Sequence, residues 1–158
     1  MKKFLLMASC ALLLLATSCE KEQSNILIGD QPEPSWSVPS DYDMTSSMTA
    51  IVKVDLAQTY PTQVNDSIGV IDQADILAAF VGDECVSKTS PIDGGLFFLY
   101  VTGLSSTAEY AQVTLKYYSS TLKNTFVAAD AFPFRNDDKI GSVSSPLAPM
   151  FWLENVKK

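Results

Sequence analysis

The sequence predicts an all-β fold: a single antiparallel β-sandwich, immunoglobulin-like, of about seven to nine strands, following an N-terminal signal segment. Three observations predict it. Several segments alternate apolar and polar residues with a period of two, as in a strand with one buried face. Gly-, Asp-, Asn- and Ser-containing turn signals separate these segments at the spacing of a sandwich. No stretch after the signal shows an apolar stripe with the 3.6-residue period of a helix.

The first predicted strand covers residues 47–55. Its alternation places four apolar side chains on one face, namely Met48, Ala50, Val52 and Val54. We expect that face to line the core.

The next three strands are predicted at residues 76–81, 85–88 and 96–101. Gly82 and Asp83 form a turn pair between the first two. Because residues 93–95 (Asp-Gly-Gly) tolerate positive φ, we expect the second and third of these strands to pair as a hairpin.

The remaining strands are predicted at residues 111–118, 122–128, 132–134 and 150–153. Ser119 and Ser120 mark the turn between the first two. Residues 72–77 could form at most one helical turn, so no helix enters the predicted fold.

The N-terminus carries an export signal. Lys2 and Lys3 precede an apolar run over residues 4–16, which is too short for a permanent transmembrane helix. The small residues that follow lead directly to Cys19, an ending that resembles a bacterial lipobox. A lipobox implies cleavage before Cys19 and a lipid anchor on that residue. A conventional signal cleaved near Ser18 would instead leave Cys19 as an ordinary thiol.

These features divide the chain into three parts. Residues 1–18 are the predicted lipoprotein signal peptide, and residues 19–35 are the lipidated cysteine with a polar tether. Residues 36–158 are the predicted sandwich domain. The short apolar piece at residues 26–28 could dock on that domain instead of remaining free.

Composition excludes several classes of function. After removal of the signal the chain keeps nine basic and eighteen acidic residues, a net charge of −9, which argues against nucleic acid as a partner. The chain has no histidine, so Ser-His-Asp triads, Cys-His pairs and histidine-based metal sites are excluded. With Cys19 lipidated, Cys85 has no intramolecular disulfide partner, and we expect it to be a small buried apolar residue.

Clustered carboxylates suggest one ion site. Asp72, Asp75 and Asp83 flank the second strand and are candidates for weak calcium binding, although they match no EF-hand loop. The alternative is that they are solvated turn residues. Together with Glu84 they could also form the acid pair of a glycan hydrolase, which requires two carboxyl groups to converge. No organic cofactor is expected.

Four aromatic residues are candidates for binding a glycan or another envelope protein: Trp36, Tyr60, Tyr118 and Trp152. Their rings could equally pack in the core or at its edge. Because Tyr117 and Tyr118 are adjacent in a strand, they point to opposite faces, and we expect one to be buried and the other exposed. A further candidate is Ser67, which lies in an Asp-Ser-apolar pattern suited to O-glycosylation.

The segment over residues 74–85, with its AAFVGDEC run, resembles a module found in secreted and surface lipoproteins of Bacteroidetes-type bacteria. The order of the other elements also resembles that module: an opening strand at 48–52, an aromatic strand at 97–100, a strand at 113–117, and an F-x-F segment at 132–134 followed by Ile140 and Gly141. The resemblance implies an extracellular β-sandwich more than any chemistry.

We therefore expect an outer membrane lipoprotein with a non-catalytic recognition module, joined to the membrane through Cys19. Glu20 and Glu22 resemble the signal that such bacteria use for display at the cell surface. Two alternatives stay open at this point: a structural subunit of an envelope or adhesion assembly, and a carboxylate-dependent glycan hydrolase.

Overall fold

The structure is a computed structural model and describes residues 25–40, 45–66, 68–102 and 110–154. The signal, Cys19 and Ser67 lie outside the described residues. Within the described part of the chain, no helix is long and apolar enough to cross a membrane.

The fold is all-β, as predicted. A six-stranded sheet has the order β3-β2-β5-β6-β9 with β7 paired to β5, and a three-stranded sheet has the order β4-β1-β8. All pairs are antiparallel except β1 with β8. The immunoglobulin-like connectivity stays a prediction. The strands are β1 (Ser47–Lys53), β2 (Ile76–Val81), β3 (Glu84–Thr89), β4 (Leu96–Thr102), β5 (Gln112–Ser119), β6 (Asn124–Ala128), β7 (Phe132–Pro133), β8 (Lys139–Ile140) and β9 (Phe151–Leu153), and a single 3-10 turn covers Leu56–Gln58.

Strand β1 shows the predicted alternation. The apolar side chains that were expected on one face are all buried, namely Met48, Ala50, Val52 and Val54. The opposite face, with Thr49 and Ile51, is only partly covered. This contrast places β1 with one side on the core and the other toward solvent.

The predicted hairpin between β3 and β4 is wrong. Strand β3 pairs with β2 in the six-stranded sheet, whereas β4 pairs with β1 in the other sheet. Gly94 and Gly95 do adopt positive φ (54° and 76°) and close a tight turn with an isolated antiparallel bridge between Pro91 and Phe97, but the bridge does not extend into a ladder between β3 and β4. The physical reason is that the inner face of β4 packs against the six-stranded sheet, where the rings of Phe97 and Tyr117 meet edge-on with centroids 6.0 Å apart.

The core between the sheets is built around Tyr117. Its ring centroid lies 6.0 Å from each of Phe97, Phe126 and Phe151. All four rings are fully buried, and aromatic side chains bury the largest apolar areas of any residue. This aromatic cluster joins strands of both sheets.

The segment before the first strand is attached to the domain. Leu27 is fully buried in the main core. The backbone N–H of Gly29 donates to the carbonyl of Leu122 at 2.8 Å, and that of Gln31 donates to the carbonyl of Lys123 at 2.9 Å. These bonds fasten the segment to the turn between β5 and β6.

The predicted boundary between tether and domain therefore needs correction. Residues 25–31 belong to the folded unit, whereas the sequence predicts a tether over residues 19–35. The alternative that residues 26–28 dock on the domain is the one that the structure shows. Since residues 26–28 form a short apolar piece in an otherwise polar segment, the composition of residues 19–35 resembles that of a linker.

The two ends of the sandwich differ. We call the loop end the one where β1, β3 and β5 finish; it carries residues 54–75, residues 90–95 and the β5–β6 turn at residues 120–123. The opposite end, which we call the far end, carries the β2–β3 turn at Gly82 and Asp83, with Asp130 beyond β6. The ends are about 20 Å apart, the length of the six-residue strand β2.

Candidate functional site

The outer surface of the three-stranded sheet exposes two aromatic rings side by side. Phe98 and Tyr100 point outward from β4, with 43% and 46% of their surfaces accessible. Their register partners on β1 are Ile51 and Thr49, so the four side chains share one face. We call this set, Thr49, Ile51, Phe98 and Tyr100, the aromatic face.

Two lysines border the aromatic face. Lys53 lies opposite Leu96 at one end of the β1–β4 pair, and Lys139 of β8 lies beside Thr49 near the other end. Both side chains are exposed. Among the described residues, the ion pair present lies on the other sheet, between Lys116 Nζ and Glu154 Oε1, which are 2.6 Å apart. Neither bordering ammonium group forms an ion pair with a described carboxylate.

A shallow cleft adjoins this surface at the loop end. It has a volume of 440 Å³ and shares Lys53 with the border of the aromatic face. Its other polar side chains include Asp55, Gln73 and Asp93. The Asp55 carboxylate already accepts a hydrogen bond from the backbone N–H of Ala57 at 3.0 Å, where it caps the 3-10 turn.

The aromatic face combines flat apolar surface with polar groups at its edge. The Tyr100 ring adds a phenolic hydroxyl, Thr49 adds a second hydroxyl, and the lysines supply hydrogen-bond donors. Aromatic side chains with a polar atom are typical of sites that contact partly apolar, hydroxyl-rich surfaces. The arrangement can therefore bind a ligand by stacking and peripheral hydrogen bonds.

Two of the four aromatic residues singled out in the sequence lie together. The rings of Tyr60 and Trp152 are 6.0 Å apart in an edge-to-face contact. The Tyr60 hydroxyl accepts the backbone N–H of Leu153 at 2.8 Å, so this side chain braces the edge strand β9. Trp152 keeps 39% of its surface accessible on the outer face of the six-stranded sheet, beside Val127.

The other two are engaged by the N-terminal segment. Trp36 packs edge-on against Phe80 with ring centroids 5.5 Å apart. Tyr118 is 4% accessible, and its hydroxyl donates to the carbonyl oxygen of Gln31 at 3.1 Å. The expectation that one of Tyr117 and Tyr118 is exposed is therefore wrong. The reason is that residues 31–36 cover the outer face of β2 and β5, which the alternation of these strands predicts to be open to solvent.

Asp75 is a buried structural carboxylate. It accepts hydrogen bonds from the Tyr117 hydroxyl at 2.6 Å, the Ser120 N–H at 2.8 Å, the Ser120 hydroxyl at 2.9 Å and the Asp72 N–H at 2.8 Å. Burial raises the pKa of Tyr117 far above its ordinary value, and the neighbouring Asp75 carboxylate raises it further. This network fixes the start of β2 to the end of β5.

The same geometry corrects the proposed calcium site. Asp72 and Asp75 lie at the loop end, but Asp83 lies at the far end of β2. Among the described residues, no group of three or more acidic or cysteine side chains is arranged to hold a metal ion. Glu84 is also at the far end, so the four acids form two pairs at opposite ends of the sandwich. Asp75 of the loop-end pair is buried within its hydrogen-bond network, so it does not face an open cleft as an acid of a glycosidase pair must.

Cys85 is buried, as predicted. It is 6% accessible and packs with Ala78 and Phe80 beneath Trp36. Its thiol donates to the Ser87 carbonyl oxygen at 3.5 Å, and burial raises its pKa. A thiol that is buried and protonated at neutral pH is a poor nucleophile.

Phe98 and Tyr100 are not among the aromatic residues that the sequence predicts as binding candidates. Alternation within the run LFFLYVT already separates Phe97, Leu99 and Val101 from these two rings. What the alternation does not reveal is that nothing in the described chain covers the outward set. Both rings could have been found in the sequence as aromatic residues at the outward-facing positions of a predicted strand, where polar residues are usual.

The molecule thus belongs to a broad class: an all-β domain of two sheets, with exposed aromatic residues on one outer sheet surface. No protein-family model, curated protein or solved structure matches the chain.

Proposed function

We propose that this protein is an outer membrane lipoprotein, anchored through Cys19, whose β-sandwich is a non-catalytic recognition module that binds a glycan. The observation that carries the glycan part is the paired exposure of Phe98 and Tyr100 on one face of β4. The anchoring part is supported by the lipobox-like ending of the N-terminal signal.

The spacing of the two rings suits an extended ligand. Phe98 and Tyr100 are two residues apart on a strand, which places their Cα atoms about 7 Å apart along it. Two rings in a row can stack on successive units of a chain, while Lys53 and Lys139 reach its hydroxyl or carboxylate groups from either end.

A structural subunit assembled by strand addition would need a long, accessible sheet edge. The two longest edge strands of the described chain, β3 and β4, lie beside each other at the same side of the sandwich. The β2–β3 pair also has a register shift between Ala79 and Phe80 of β2, where β3 has the extra residue Val86, and this bulge interrupts regular pairing. These edge strands therefore favour ligand binding on the outer face of a sheet over assembly by strand addition at a sheet edge.

The test is a glycan-array screen of residues 20–158, with and without calcium. We expect saturable binding that does not depend on calcium. Phe98→Ala and Tyr100→Ala should each weaken it by about tenfold or more, the usual cost of removing a central aromatic contact. Trp152→Ala is the matched control, because it removes an exposed aromatic ring from the other sheet.

Binding that survives loss of both rings on β4 but falls with Trp152→Ala would transfer the site to the six-stranded sheet. A folded protein that binds no glycan in either condition would contradict the recognition of glycans and favour a protein partner. Circular dichroism of each variant would show that the sandwich is intact.

A further inference from the structure

We propose that the loop end of the sandwich rests on the surface of a membrane of zwitterionic phospholipid, in contact with the lipid interface. This inference rests on the proposed lipidation of Cys19. It adds an orientation of the domain and a second interaction surface, distinct from the aromatic face.

The attachment of residues 25–31 fixes where the anchor leaves the domain. The Asn25 side-chain amide donates to the Gln63 carbonyl oxygen at 2.7 Å, and Gly29 is bonded to Leu122 at 2.8 Å. Gln63 and Leu122 both belong to the loop end. The tether therefore departs from that end and not from the far end.

The chain between the anchor and this attachment is short. Asn25 is six residues after Cys19, so the two can be separated by at most about 20 Å when fully extended. The far end is about 20 Å beyond the loop end along the strands. For the far end to touch the membrane, the tether would have to extend along the whole length of the domain. Its full reach of about 20 Å would then be used, and no length would remain to place Cys19 in the lipid.

The loop end also exposes aliphatic side chains. Ile26 and Ile28 are each 57% accessible and flank the buried Leu27, and Val70 and Ile92 are each 54% accessible in the two neighbouring loops. Burying such surface contributes roughly 25 cal/mol per Å². Four exposed aliphatic side chains at the end nearest the anchor suit contact with the lipid interface.

The charges at this end define the kind of lipid. The loops at this end expose Asp30, Asp66, Asp72 and Asp93, whereas the exposed lysines there are Lys123 and Lys53 at the end of β1, so acidic groups outnumber basic ones. Carboxylates are repelled by anionic headgroups within about a Debye length, roughly 10 Å at 0.1 M salt. A zwitterionic interface lets the aliphatic side chains make contact without this repulsion.

The experiment uses the full-length lipoprotein in phosphatidylcholine vesicles that carry a nitroxide quencher on the headgroup. A fluorophore is attached to Asp93→Cys at the loop end or to Asp130→Cys at the far end. The two variants are matched, because each replaces an exposed aspartate in a loop. The buried Cys85 thiol is not expected to react with the label.

We expect quenching at position 93 to exceed quenching at position 130 by at least threefold. Replacing part of the phosphatidylcholine with phosphatidylglycerol should reduce the quenching at position 93. Equal quenching at both positions, or stronger quenching at position 130, would overturn the orientation.

The mass of the intact protein separates this result from a failure of anchoring. An unmodified Cys19 would overturn lipidation and the orientation with it. Lipid on Cys19 together with equal quenching would overturn the orientation alone and leave the anchor in place. Glycan binding through the aromatic face is measured on residues 20–158 and does not depend on either outcome.

Discussion

Removing the hydroxyl of Tyr117 tests whether the buried network at Asp75 stabilises the sandwich. Tyr117→Phe keeps the ring among Phe97, Phe126 and Phe151 but deletes the 2.6 Å hydrogen bond to Asp75. A hydrogen bond to a charged group contributes about 1.5–3 kcal/mol. Because Asp75 keeps its other donors from Ser120 and Asp72, we expect a loss near 2 kcal/mol at pH 7, within that range.

The pH dependence gives the same change a second, independent readout. In the folded protein the pKa of Tyr117 is raised, whereas in the unfolded chain the phenol ionises near its ordinary value of about 10. Above pH 10 the unfolded state therefore binds fewer protons than the native state, and the free energy of unfolding falls as pH rises. The neutral phenol makes its full contribution to the free energy of unfolding below that pH. Well above it, this contribution falls by about 1.4 kcal/mol for each pH unit.

The assay is urea denaturation of residues 20–158 and of its Tyr117→Phe variant between pH 7 and 11. Since the variant lacks this titration, the gap between the two proteins should narrow by about 1 kcal/mol from pH 10 to 11, and by about 1.4 kcal/mol over the whole range from pH 7 to 11. A gap below 0.5 kcal/mol at pH 7, or one that stays constant to pH 11, would refute the reasoning.

Two further predictions concern stability in the same assay. Leu27→Ala should cost about 2–5 kcal/mol because it empties a fully buried site, while Ile26→Ala next to it should change stability by less than about 0.5 kcal/mol; equal effects would contradict docking of this segment. Gly141→Ala should cost about 2 kcal/mol or more, because its new Cβ would lie 2.6 Å from the Ile51 carbonyl oxygen at a φ of +71°. Gly82→Ala has a φ of +59° but no atom within 4 Å, so it should cost only about 1 kcal/mol, and a loss as large as that of Gly141→Ala would refute the steric argument.

The strands of the sandwich could be predicted because they follow local rules. The run over residues 47–55 alternates, and the structure buries the expected face of β1. Gly82 and Asp83 end β2 where the turn signal placed them. Period and turn chemistry are properties of a few adjacent residues, so the sequence contains them directly.

Pairing between distant segments could not be predicted in the same way. No residue near Leu96 indicates which strand β4 will pair with. In the structure it pairs with β1, some fifty residues earlier in the chain, and not with the preceding strand β3. The same limit applied to Asp75, which the sequence presented as a surface acid. Its four donors come from Asp72, Tyr117 and Ser120, and two of these residues lie more than forty positions away.

The position of the candidate site follows from which sheet surface the N-terminal segment covers. Residues 25–36 need partners for their backbone groups and for Leu27, and they find them on the six-stranded sheet, where Tyr118 and Phe80 are then buried. That surface is consequently occupied by the chain itself. The three-stranded sheet receives no such cover from the described residues, and its outward rings, Phe98 and Tyr100, stay accessible. A segment that composition presents as a linker thus determines which aromatic residues are structural and which can meet a ligand.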